Sequence, residues 1–147
     1  MSGTVFRRAV LSAAVLVAGA IVGAGAFHIR EAHADAGGKV FEMRTYTALP
    51  GKLDALNARF RDHTLKFFEK HHMKNVGYWM PTEGETAGST LVYVISHDSR
   101  EKAKQNWAAF REDAEIRKVF AATEANGKLV SKVESVFLEA TDYSPLK

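Results

Sequence analysis

The chain contains no cysteine. Structural disulfides, thiolate metal sites and cysteine nucleophiles are thereby excluded. It also lacks a nucleophile motif, a glycine-rich phosphate loop and a dinucleotide fingerprint, since Gly84 and Gly88 stand in a hairpin loop with no helix N-terminus after them. An excess of one charge is missing as well. The formal charge of +3 shrinks once Arg7, Arg8, Arg30 and Glu31 are set aside, because 20 basic and 17 acidic residues become 17 and 16, a formal +1. A nucleic-acid binder keeps a basic surface in its folded part. No nucleic acid is therefore expected as a partner.

Long apolar runs are absent too, with one exception near the start. Residues Ala9 to Phe27 carry no charge and are mostly Ala, Val, Gly and Leu. Arg7-Arg8 precedes this run and Ala32-His33-Ala34 follows it with small residues at the two positions a signal peptidase reads. Residues 1–34 read as an export signal, and the arginine pair with Val10-Leu11 behind it resembles the twin-arginine type, although Phe6 stands where Ser or Thr is usual. The competing reading is a retained membrane anchor. In both cases the domain, residues 35–147, is expected outside the cytoplasmic membrane, periplasmic or secreted.

What the rest of the chain does contain is alternation and helical periodicity in a definite order. Lys39 to Thr47 alternates with period two, Phe41 and Met43 on one side, Glu42, Arg44 and Tyr46 on the other. Pro50-Gly51 turns the chain, and Leu53, Leu56, Phe60, Thr64, Phe67 and His71 form one helical stripe. Asn75 to Met80 and Thr90 to His97 read as strands separated by a loop. Asp98 with Glu101 resembles a capping box opening a second helix, Ala103, Trp107 and Phe110 give its stripe, and Glu112-Asp113 divides it from a further helical piece. Leu129 to Thr141 is the last strand.

The expected fold is α+β, ferredoxin-like, β-α-β-β-α-β, with a four-stranded antiparallel sheet and helices on one face. Its other face would be open in a single copy. The mixed character of Glu42, Arg44 and Tyr46 assigns them to that open face, to be covered by a second copy in a homodimer.

Four segments together carry a family resemblance. They are FEMRTYTALPGKLDAL from Phe41, His71 ahead of Gly77-Tyr78-Trp79, Ser99-Arg100, and Trp107-Ala-Ala-Phe110. With them the chain resembles a NIPSNAP domain from Val40 to Phe137. The resemblance implies membership of the dimeric α+β barrel group, in which two ferredoxin-like protomers join sheet to sheet. It also implies a cleft between helix and sheet, where relatives bind ligands. Eukaryotic members are associated with mitochondria and protein–protein interaction, and distant members of the group include cofactor-free monooxygenases, haem-degrading enzymes and small-ligand binders. Two positions depart from the family. His72 stands where Gly often follows the helix-ending His, and Asp113-Ala114-Glu115-Ile116 replaces an Asp-Pro-x-Trp pattern.

On this basis the first-ranked function is binding of a small, partly apolar ligand between sheet and helices. The alternatives are a cofactor-independent monooxygenase-like enzyme and an interaction module on the cell envelope. The candidate ligand-binding residues are Glu42, Arg44, Tyr46, His63, Trp79, Tyr93 and Trp107. In the enzymatic reading His63 is the base, with Arg44 or Tyr46 holding a developing oxyanion. Each has a plainer reading: His63 as a core-edge histidine, Glu42 and Arg44 as a buried ion pair, and the three aromatics as core. Neither His71, His72 and His97 nor His63 with His71 gives the i, i+4 spacing of a helical zinc pair, so no metal site is expected, and no cofactor.

Overall fold

The computed structural model describes residues 39–147. The leader assigned to residues 1–34 lies outside the described residues. Four strands, β1 (Val40–Ala48), β2 (Lys74–Trp79), β3 (Thr90–His97) and β4 (Val130–Leu138), form one sheet in the order β2-β3-β1-β4, every pairing antiparallel. This is the expected ferredoxin-like plan. Among the described residues no helix is long and apolar enough to cross a membrane.

The first helical rod is α1 (Leu53–Arg59), a π-helical segment (Phe60–Thr64) and α2 (Leu65–Lys70) in unbroken succession. At the π segment the Leu65 N–H reaches back five residues to the Phe60 carbonyl, and the Thr64 hydroxyl donates to the Arg59 carbonyl. The inserted residue shifts the stripe so that Leu56, Phe60, Thr64, Phe67 and Phe68 are all buried. The rod ends in a Schellman turn. His72 adopts φ +57°, its N–H bonds the Glu69 carbonyl, and the Met73 N–H bonds that of Phe68. The left-handed residue is thus a histidine where the family often has glycine.

Two helices follow β3. Helix α3 (Arg100–Glu112) is capped by Ser99, whose hydroxyl accepts from the Lys102 N–H, one residue later than the expected Asp98. Helix α4 (Ala114–Thr123) is capped by Asp113, which accepts from the Glu115 and Ile116 N–H groups. Asp113 also receives Lys70 at 2.8 Å and His71 at 2.9 Å, so the end of α2 is tied to the start of α4. These partners hold the Asp113 carboxyl well below the usual carboxylate range. Arg59 makes a second tie, bonding Glu124 at 2.9 Å with its guanidinium over the Phe120 ring.

The core is aromatic. Tyr93 is fully buried on β3 and stacks with Phe68 and Tyr78, while Phe60 and Tyr46 meet it edge-on or tilted. Phe110 extends the cluster towards Trp107 and Phe120. Offset and edge contacts of this kind add to the apolar area the rings bury.

The expected assignment of the two sheet faces is reversed. Glu42 is opposite Ile95 and Phe137, Arg44 opposite Tyr93 and Ser135, and Tyr46 opposite Leu91 and Val133. Directly paired residues share a face, and Tyr93, Ile95 and Leu91 belong to the core beneath the helices. Glu42, Arg44 and Tyr46 therefore lie under the helices. The outward face carries Phe41, Met43, Val94, Val136 and Leu138 instead. Alternation distinguishes two faces but does not label them. The polar residues take the helix side because partners from α3, β3 and β4 are waiting there.

Candidate functional site

Those partners converge on Glu42, whose side chain is 2% exposed. Its Oε1 accepts from Arg44 Nη1 at 2.8 Å and from the Ser135 hydroxyl at 2.7 Å. Its Oε2 accepts from the Trp107 indole N–H at 2.6 Å and from His97 Nε2 at 3.1 Å. A carboxylate has about four lone-pair sites, and all four are spent. Burial alone would raise the Glu42 pKa, but bonds from His97, Ser135 and Trp107 and the charge of Arg44 outweigh it and bring it down to about 2. The carboxylate is charged, dry and fully satisfied.

Each donor is placed by its own element. Period-two alternation on β1 puts Arg44 beside Glu42, and the β4 register sets Ser135 across from Arg44. His97 ends β3 opposite Val40, and its Nδ1 faces Asn106 Nδ2 at 3.5 Å. Asn106 also donates to the His72 carbonyl at 3.0 Å, linking the group to the turn that ends the first rod. His97 is thus held at both ring nitrogens, Nε2 by Glu42 and Nδ1 by the Asn106 amide.

Arg44 is the member that reaches outward. Its guanidinium carbon lies 4.3 Å from the Trp107 ring centre and 5.7 Å from that of Tyr46. Its side chain is 18% exposed, and its buried Nε has no hydrogen-bond partner. Next to it, Tyr93 donates its hydroxyl proton to the Tyr46 oxygen at 3.1 Å. Burial pushes the Tyr93 phenol well above its usual range, so it remains a donor. On the β4 side Val133 is exposed although it shares the face of Tyr46, while Phe137, on the face of Glu42, carries the Arg100 guanidinium over its ring at 3.4 Å. The strip of β1 and β4 beside Arg44 and Trp107 that the helices leave partly exposed is the candidate cleft.

Five of the seven candidate residues, Glu42, Arg44, Tyr46, Tyr93 and Trp107, thus belong to one assembly. Two do not. His63 sits half-buried on the π segment and, among the described residues, makes no side-chain hydrogen bond to this cluster. Trp79 is 55% exposed on the outward face, with its ring folded over Gly77. There it borders a cavity of about 310 Å³ together with Phe41, Val76, Val94, Leu138 and Leu146. His71 and His97 are bound to different carboxylates. Sequence reading missed Ser135 and Asn106 as members and weighed His97 only as a metal ligand. The parity of β4 with β1 was the available signal for Ser135; nothing in the sequence announced Asn106.

Comparison with known proteins adds the following. The family model described as NIPSNAP matches residues 41–145. Similar solved structures include an uncharacterised NIPSNAP-like domain protein from Burkholderia xenovorans, with TM-score 0.65 and 15% identity, over 74% of this chain and 90% of that one. A NIPSNAP family protein of unknown function from Agrobacterium tumefaciens also has TM-score 0.65, at 19% identity, over 78% and 99% of the two chains. A second NIPSNAP domain protein from Burkholderia xenovorans has TM-score 0.62 at 20% identity, over 72% and 98%. At these identities the likeness is one of fold. No curated protein matches the chain.

Proposed function

The chain belongs to the NIPSNAP family, and from that premise we propose that it is an exported homodimer that binds a small, partly apolar ligand between its sheet and its helices. One observation carries the binding reading. Arg44 is fixed by Glu42 and Trp107 while part of it remains exposed beside an uncovered stretch of β4. A positioned polar group bordered by aromatic and aliphatic side chains is what a small-molecule site requires.

Pairing through the outward face is supported by its composition. Trp79, Val136 and Leu138 are exposed there, and Phe41 and Val94 border the same cavity. A contiguous apolar face favours burial against a copy of itself. Export is supported by Arg7-Arg8, the apolar run after it and Ala32-His33-Ala34.

Titration calorimetry of the protein against quinones, haem and aromatic acids tests the binding reading. At least one compound should bind, and Trp107→Ala should weaken it about tenfold or more; a panel without any binder defeats the proposal. Sedimentation should find a dimer that Val136→Asp dissociates, and solitary chains at high concentration would refute the pairing. Replacing Arg7 and Arg8 by Lys should retain the protein in the cytoplasm, and unchanged export would rule out the twin-arginine route.

A further inference from the structure

The hydrogen-bond accounting of the cleft is one-sided. Glu42 contributes no acceptor to it, because all its lone-pair sites are taken by Arg44, Ser135, Trp107 and His97. The Tyr46 oxygen already accepts from Tyr93, which leaves the Tyr46 hydroxyl proton to point elsewhere, and among the described residues no acceptor receives it. Arg44 has five N–H donors. One side-chain bond, from Nη1 to Glu42, accounts for part of them, and the buried Nε has no acceptor. A buried donor without a partner calls for an explanation. Arg59 also has an unpartnered Nε, but that side chain is sealed at 4% exposed under Phe120 and Glu124. Arg44 is the one beside an open floor.

The charge balance runs the same way. Glu42 shares its negative charge with three neutral or ring donors as well as with Arg44, so the guanidinium is not matched by a carboxylate reserved for it. Its remaining edge keeps a positive field, next to the Tyr46 hydroxyl, whose proton is free to donate. We propose that the cleft takes ligands through an acceptor-only anionic oxygen group, a carboxylate or enolate, held by Arg44 and Tyr46, with an apolar body lying towards Trp107 and Val133. A neutral amide forgoes the charge-assisted bond to Arg44, and a protonated amine brings a charge of the same sign as the guanidinium. This inference rests on the ligand-binding reading and adds the chemical class.

Three matched probes test it by calorimetry on the full protein: 2-naphthoate, 2-naphthamide and 2-naphthylmethylamine. The carboxylate should bind about tenfold more tightly than the amide and more tightly still than the amine. Tyr46→Phe should reduce the acid-over-amide ratio severalfold, and Arg44→Met should bring it close to one. Circular dichroism checks that both variants fold, and if Arg44→Met does not, Tyr46→Phe decides the matter. Equal binding of acid and amide overturns the chemical class while leaving the cleft as a ligand site. An acid preference untouched in the folded variants overturns the assignment to Arg44 and Tyr46. Failure of all three probes to bind defeats this inference, and the binding reading beneath it then falls only if the quinone, haem and aromatic-acid panel also yields no binder.

Discussion

The Trp107 indole N–H donates to Glu42 Oε2 across 2.6 Å, so helix α3 and the interior strand β1 meet at one buried carboxylate. The same indole lies against Arg44. One side chain therefore both satisfies the acid and braces the base. This is why Glu42 can remain charged although its side chain is only 2% exposed, where an isolated buried charge would be prohibitively costly.

Trp107→Phe keeps a ring against Arg44 and deletes the N–H. A buried charged acceptor then loses one of its four donors, at a cost of about 1–3 kcal/mol. Urea denaturation should show the loss; stability within about 0.5 kcal/mol of wild type would mean that the bond contributes little.

Acid should weaken the fold through Glu42. Its folded pKa, about 2, lies below the 4.5 of a free glutamate side chain. The unfolded chain therefore takes up a proton first, and the associated stability is complete above pH 4.5 and lost as pH falls towards 2. The full contribution is on the order of 3 kcal/mol. Glu42→Gln should be less stable at neutral pH and show a flatter profile between pH 5 and 2. Parallel wild-type and variant curves would show that other groups govern the acid limb.

His72 occupies a left-handed position with an exposed side chain. A residue with a Cβ is strained there by about 1 kcal/mol, and glycine is not. His72→Gly should raise stability by roughly 0.5–1 kcal/mol, partly offset by the added freedom of the unfolded chain. A thermal melt that moves down would show that the imidazole has a role the turn geometry does not reveal.

Gly77 has no space for a side chain while Trp79 stays where it is, because a Cβ would clash with the ring. The ring is exposed and can swing aside. Gly77→Ala should therefore redshift tryptophan emission and cost less than about 1 kcal/mol. A large loss of stability would mean that the folded-back ring is anchored by more than contact with Gly77.

The order of strands and helices was legible because hydrophobic period changes cleanly from two to 3.6 and back between Thr47 and Leu53 and again after His97. The helix stop at His71-His72 and the break at Asp113 were readable for the same local reasons. The side on which Glu42, Arg44 and Tyr46 lie was not. It depends on Trp107 and Ser135, which are 65 and 93 residues away from Glu42 and meet it only in three dimensions. The grouping of Arg44 with Tyr46 followed from strand parity, and the stripe of Leu56, Phe60, Thr64 and Phe67 is buried as expected, with His63 half-buried at its edge.

The π segment of the first rod has a consequence of its own. A regular helix advances each residue by about 100° around its axis, so removing one residue between Phe60 and Thr64 would swing Phe67 and Phe68 through that angle while leaving Leu56 in place. Phe68 would leave its stack on Tyr93, and the turn that presents the His72 carbonyl to Asn106 would be displaced with it. The surplus residue acts as a shim. It lets one rod satisfy two phases of packing, greasing the near half of the sheet and delivering its far end to the polar seam.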